Sequence, residues 1–206
     1  MSETMAAGLV LVGLWMIGLT HLRTKLVVYG LQTVVLGALA VSIGWQHGEA
    51  ALMFVGALTA LLKGIAVPAY LIYLTRRIGC RRDEGLFIAP PLLLLLTVGA
   101  LAALLLLNPL HDALRTADLP ALALLLIGMI LMISRRMAVS QIVGFLVLEN
   151  GIFYYTIAQP RAMPLLVELG VLLDVLAATM LAGLLAYRIN DRFEHIDVTA
   201  LDSLRD

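Results

Sequence analysis

Charge is scarce in this 206-residue chain, with 14% of residues charged against 62% hydrophobic. A soluble domain carries about 25% charged and about 45–50% apolar residues. No water-facing fold of this length has the interior to hide such a composition, whereas a bilayer accepts apolar side chains on the outside of a bundle. Cysteine is nearly absent. Cys80 stands alone in a basic loop, which excludes a disulfide framework and an iron–sulfur or zinc set. His21, His47, His111 and His195 fall in connectors or the tail and form no paired ligand set. There is no glycine-rich phosphate loop and no nucleophile constellation, so we expect no catalytic centre, metal or cofactor in the chain itself. Formal net charge is zero, which removes the bulk attraction that nucleic acid would need. The first apolar run begins near Met5 with no basic residue before it and no small-x-small cleavage site, so a cleaved signal peptide is not expected.

What the chain has is long apolar runs. A spanning helix needs about 20 mostly apolar residues, and seven runs approach that length: Met5–Thr20, Leu26–Trp45, Ala51–Leu74, Phe87–Leu107, Leu119–Ile133, Ala138–Ala158 and Pro164–Tyr187. They are continuously apolar and do not alternate, which favours helices over a barrel. The connectors are short and polar, so neighbouring helices run antiparallel. Basic residues fix the orientation. Arg23, Lys25, Arg76, Arg77, Arg81, Arg82, Arg135, Arg136, Arg188, Arg192 and Arg205 fall on one side, Arg115 and Arg161 on the other, and Lys63 inside a helix. The expectation is an all-α integral membrane protein with seven transmembrane helices over 1–189, the N-terminus outside and the C-terminus cytoplasmic. The tail 190–206 is polar and acidic with interspersed Phe193, Ile196, Val198, Leu201 and Leu204. It reads as a disordered end or, preferred, as a cytoplasmic segment that docks on a partner.

Ionisable residues at mid-bilayer cost about 2.5–3.5 kcal/mol each on insertion scales, so those present need a reason. Lys63, Glu149 and Asp174 lie twelve, eleven and ten residues into their runs, each about 15–18 Å deep at 1.5 Å per residue. All three therefore sit near one level. Gly56, Ala60 and Gly64 accompany Lys63, and Gly170, Ala177 and Ala178 accompany Asp174; such small residues let helices approach in lipid. Pro68 cannot donate to the carbonyl of Gly64, which predicts a kink or loosened turn beside the lysine. Gln141 and Glu149 share a face with Asn150 adjacent, and Gln32 and Thr33 offer a second polar patch; interhelical hydrogen bonds or a polar track are the two readings. Glu168, near the outer end of the last run, is an exit group or a snorkelling one. Two carboxylates with one lysine leave a charge unbalanced unless a carboxyl takes up a proton, which is what a proton relay requires. The alternative is a charge network that only fixes helix register. The second and third helices also repeat the plan of the sixth and seventh, a weak parallel repeat of the transporter kind.

The stretch Ser134–Tyr155, SRRMAVSQIVGFLVLENGIFYY, resembles the second helix of the complex I subunit NuoK and its MrpC relatives, which makes 138–187 a NuoK-like helix pair. Glu149 falls on that family's buried glutamate. Asp174 falls where the next helix carries a second buried acid, with aspartate in place of glutamate. Over nearly its whole length the chain resembles the hydrogenase-4 component E family, through Lys63 to Pro68, the basic loop followed by Phe87 to Pro90, Glu149–Asn150–Gly151, Asp174 and the tail IDVTALDSL. The resemblance implies a membrane-arm subunit of a complex I-like, redox-driven ion-translocating assembly. It implies antiporter-like membrane subunits and a cytoplasmic redox module as partners, with iron–sulfur clusters or nickel–iron held there, and a proton relay through Lys63, Glu149 and Asp174. A structural scaffold joining those parts and a self-standing secondary transporter are the rival readings.

Overall fold

The computed structural model describes residues 2–78, 83, 88–107 and 118–158. Among the described residues every element is helical: α1 (Ser2–Gly18), α2 (Leu22–His47), α3 (Ala50–Leu61), a π-helical turn (Leu62–Ala66) running directly into α4 (Val67–Ile78), α5 (Pro90–Leu107), α6 (Leu119–Ile133) and α7 (Ala138–Ala158). The seventh apolar run Pro164–Tyr187, with Glu168 and Asp174, and the tail 190–206 lie outside the described residues. The last helix of the internal repeat lies there with them, whereas the sixth run, Ala138–Ala158, is described.

Among the described residues three helices are long and apolar enough to cross a membrane: Leu22–His47 at 26 residues, Ala50–Arg76 at 27 and Ala138–Ala158 at 21. Thr4–Gly18, Pro90–Ala103 and Leu119–Ile133 are shorter apolar helices. Length and composition together define a helical membrane protein. Helix α2 begins at Leu22, four residues before its apolar run, and so draws Arg23 and Lys25 into its first turn. It stops at Gly48, whose φ of 69° is the left-handed conformation that glycine adopts without cost. The Glu49 N–H then donates to the Gly44 carbonyl at 2.9 Å, closing the helix end and reversing the chain into α3.

Two antiparallel hairpins form the body, α2 against α3 and α6 against α7; α1 packs on α2 and α6, α5 on α1 and α6, and α2 also meets α7. Small residues set these distances. A Cβ placed on Gly128 would lie 2.5 Å from the Leu148 nitrogen, and one on Gly37 would lie 2.6 Å from the Gly56 carbonyl oxygen. Each hairpin is therefore in backbone contact, the packing that drives association where no hydrophobic effect separates helix from lipid. Leu9, Met16, Ile17, Leu26, Leu36, Leu124, Ile127 and Val143 fill the centre and are essentially inaccessible.

Candidate functional site

The charged residue of the third run sits on an irregularity. Lys63 and Gly64 occupy the π-helical turn Leu62–Ala66, and Pro68 follows in the first turn of α4. A proline breaks the ordinary four-residue ladder at the Gly64 carbonyl, and a π turn is one way a helix absorbs such a break. That carbonyl faces α2. A Cβ on Gly30 would stand 2.6 Å from it and 3.2 Å from the Pro68 ring. The glycine hydrogen in that position makes a Cα–H···O approach instead, so α2 can press against the turn only because residue 30 has no side chain.

From this turn the Lys63 ammonium reaches across to α7 and pairs with Glu149, Nζ to Oε2 at 3.0 Å. The two side chains are 10% and 2% exposed. One residue on, Asn150 is fully buried, and its amide donates to the Thr33 hydroxyl of α2 at 2.8 Å. Thr33 in turn donates to the Tyr29 carbonyl at 3.0 Å. Gln32 turns the other way and donates to the Leu9 carbonyl of α1 at 2.8 Å. Lys63, Glu149, Asn150 and Thr33 thus gather where α2, the π turn and α7 meet. Gln141 does not join them. It lies two turns earlier on α7 and donates to the Arg135 carbonyl at 2.8 Å. Asp174 and Glu168 lie outside the described residues.

The arrangement sets a cation and a carboxylate side by side in the interior of the bundle. Among the described residues no cluster of histidine, cysteine and acidic side chains could hold a metal ion.

A second buried charge cluster was not foreseen. Asp83, in the connector between α4 and α5, accepts from Lys25 Nζ at 2.5 Å and from Arg135 Nη1 at 3.0 Å on the same oxygen. Arg135 also donates to the Ile17 carbonyl at 2.6 Å, and the Asp83 N–H donates to the Thr20 carbonyl at 2.8 Å. Lys25 and Arg135 are fully buried. By sequence position alone both are connector charges that orient the chain. Burial pulls the Arg135 guanidinium below its ordinary value, and Asp83 pushes it back up. An acidic pair, Asp83 and Glu84, inside a basic connector is the one available signal. Its partners lie 58 and 52 residues away in sequence, and local reading cannot find them.

A bundle of apolar helices with a paired lysine and glutamate in its interior is a helical membrane protein with a buried ion pair. Two relatives narrow the class. The uncharacterized protein Rv0085 of Mycobacterium tuberculosis is 32% identical over 98% of this chain and 94% of its own length. Hydrogenase-4 component E of Escherichia coli strain K12 is 27% identical over 98% of this chain and 96% of its own. The chain belongs to the hydrogenase-4 component E family. No protein-family model matches it, and no solved structure matches it.

Proposed function

We propose that the chain is a multi-pass membrane subunit of a hydrogenase-type, complex I-like assembly, and that its buried Lys63–Glu149 pair takes part in proton transfer or coupling. The observation that carries this reading is the pair itself: 3.0 Å apart, buried, and with the lysine on a π turn. A fixed scaffold has little use for an ion pair whose desolvation offsets its attraction. A proton-handling site needs two charge states of similar energy, and a lysine that can approach or leave a carboxylate supplies them. The π turn fits such a role, because its backbone bonding differs from the flanking α-helix by one residue and such turns are frequent at functional sites. Asp174, ten residues into the next run, is the third member of the relay, and Asn150 and Glu168 are accessory polar groups, whereas Gln32 and Gln141 bond elsewhere.

On this reading the bundle has seven spans in the cell (inner) membrane, the N-terminus outside and the C-terminus in the cytoplasm. The acidic tail lies on partner subunits. Those partners are antiporter-like membrane subunits and a cytoplasmic redox module, which holds the iron–sulfur or nickel–iron centres. The name of the Escherichia coli relative, a component of a hydrogenase, supports a multi-subunit setting.

Affinity purification of the tagged chain in mild detergent, with mass spectrometry of what accompanies it, tests the setting. Antiporter-like subunits and a redox module are expected; a chain that emerges alone points to a self-standing transporter. The Glu149→Gln variant tests the role. Proton translocation per electron should fall with assembly intact. Unchanged translocation removes Glu149 from the relay, and failed assembly with normal translocation in the residue of complex formed favours the scaffold.

A further inference from the structure

The Lys25–Asp83–Arg135 cluster is built differently from the Lys63–Glu149 pair. Two cations share one carboxylate oxygen, so among the described residues the cluster holds one positive charge more than it balances. All three groups are buried: Lys25 and Arg135 are 0% exposed and Asp83 is 4% exposed. A guanidinium keeps its proton throughout the working range, whereas a buried lysine gives its proton up readily. Lys25 is therefore the group that can relieve the excess. When its ammonium loses one proton it becomes a neutral amine, and Arg135 with Asp83 remains as a balanced pair. Asp83 is anchored by its own N–H to Thr20 and Arg135 by Nη2 to Ile17, so the frame around Lys25 stays in place whichever form the lysine takes.

The cluster also stands on a helix face that leads toward the ion pair. Lys25, Tyr29 and Thr33 stand four residues apart on one face of α2, and all three are fully buried. Each step is about 6 Å along the helix. Thr33 accepts from Asn150, and Asn150 adjoins Glu149. The face thus runs from the basic end of the bundle to the level of the Lys63–Glu149 pair, with hydroxyl-bearing side chains at two successive positions.

We propose that Lys25 is a second proton-exchanging group of this chain, a loading site at the basic end of the bundle, with Asp83 and Arg135 as its positioning residues. Its ammonium gives a proton to the Glu149 carboxylate along the Tyr29–Thr33 face of α2, the Lys25 N–H bond breaking and a Glu149 O–H forming, and the amine is reprotonated from the aqueous side of that end. This rests on the proton-exchange reading of Glu149.

The test uses the intact assembly in inverted membrane vesicles, with acidification followed by an acridine dye and normalised to electron flow. Lys25→Met removes the exchangeable proton and leaves Arg135 and Asp83 balanced, so assembly is expected to persist while translocation per electron falls about tenfold or more. Lys25→Arg keeps the charge and withholds the proton, and should show the same loss. A purely structural clasp predicts wild-type translocation in Lys25→Arg. If both variants translocate as wild type while Glu149→Gln does not, Lys25 is no loading site and the relay reading survives. If Glu149→Gln also translocates normally, the underlying reading fails. Failure of both Lys25 variants to assemble assigns the lysine to the clasp alone and overturns the proposal.

Discussion

Removing Lys63 and Glu149 one at a time and then together should show strong coupling. At the observed 3.0 Å separation, an effective dielectric of about 20 gives an attraction of about 5 kcal/mol. Placing one charged side chain at mid-membrane costs about 3 kcal/mol on insertion scales. The pair as a unit is therefore close to neutral for stability, because two insertion costs nearly cancel one attraction. Lys63→Met forfeits the whole attraction and recovers only its own insertion cost, so it should destabilise by about 2–3 kcal/mol. Glu149→Gln should do the same. The double variant loses the attraction and both costs together, and should return to within about 1 kcal/mol of the parent. The coupling between the two positions is then about 5 kcal/mol, well above the fraction of a kcal/mol expected of independent sites. Unfolding of the purified protein in mixed micelles with a rising fraction of denaturing detergent reads these differences. Additive single effects, or singles that cost under about 1 kcal/mol, would refute the argument, because the groups would then be solvated separately and the buried pair would not exist.

Other consequences are simpler to check. Gly30→Ala puts a methyl group 2.6 Å from the Gly64 carbonyl oxygen, backbone that cannot swing aside; a loss of about 1–3 kcal/mol is expected, read in the same micelle assay, and Gly8→Ala, where a Cβ meets nothing, is the control. Asp83→Asn leaves Lys25 and Arg135 buried side by side without their shared carboxylate, and should cost about 3–5 kcal/mol. Lys25→Met should be far milder, since it leaves a balanced pair, and equal losses in the two variants would show that charge balance does not govern this end. Cys80, the chain's single cysteine, lies in the basic connector and serves as a native topology probe. A membrane-impermeant maleimide should label it in inverted vesicles and not in intact cells; the reverse pattern would invert the orientation.

The sequence by itself determined that this is a helical membrane protein. Long unbroken apolar runs have one stable solution in lipid, and six of the seven coincide with described helices to within a few residues. Met5–Thr20 falls on α1 and Ala138–Ala158 on α7, because backbone bonds must close within each span and side-chain chemistry alone marks where the lipid-compatible stretch ends. The interest of Lys63 and Glu149 was also legible, since a charge inside such a run carries a cost that can be counted. The irregular turn beside Pro68 follows from the missing proline N–H, a strictly local fact.

Which groups meet was decided by tertiary structure. Lys63 and Glu149 are 86 residues apart by their numbers, and only the way α2, the π turn and α7 come together selects them over any other pair. Gln141 shares a helical face with Glu149 and yet bonds the Arg135 carbonyl; helical periodicity gives a direction about the axis, not the identity of what waits there. Lys25 and Arg135 are the clearest case. Local reading can count a basic residue near a helix end only as an orientation signal. Burial came from three segments, the first turn of α2, the connector holding Asp83 and the connector between α6 and α7, converging on one carboxylate oxygen. Convergence of that sort depends on distances through space between residues more than fifty positions apart, and no local pattern in the chain encodes it.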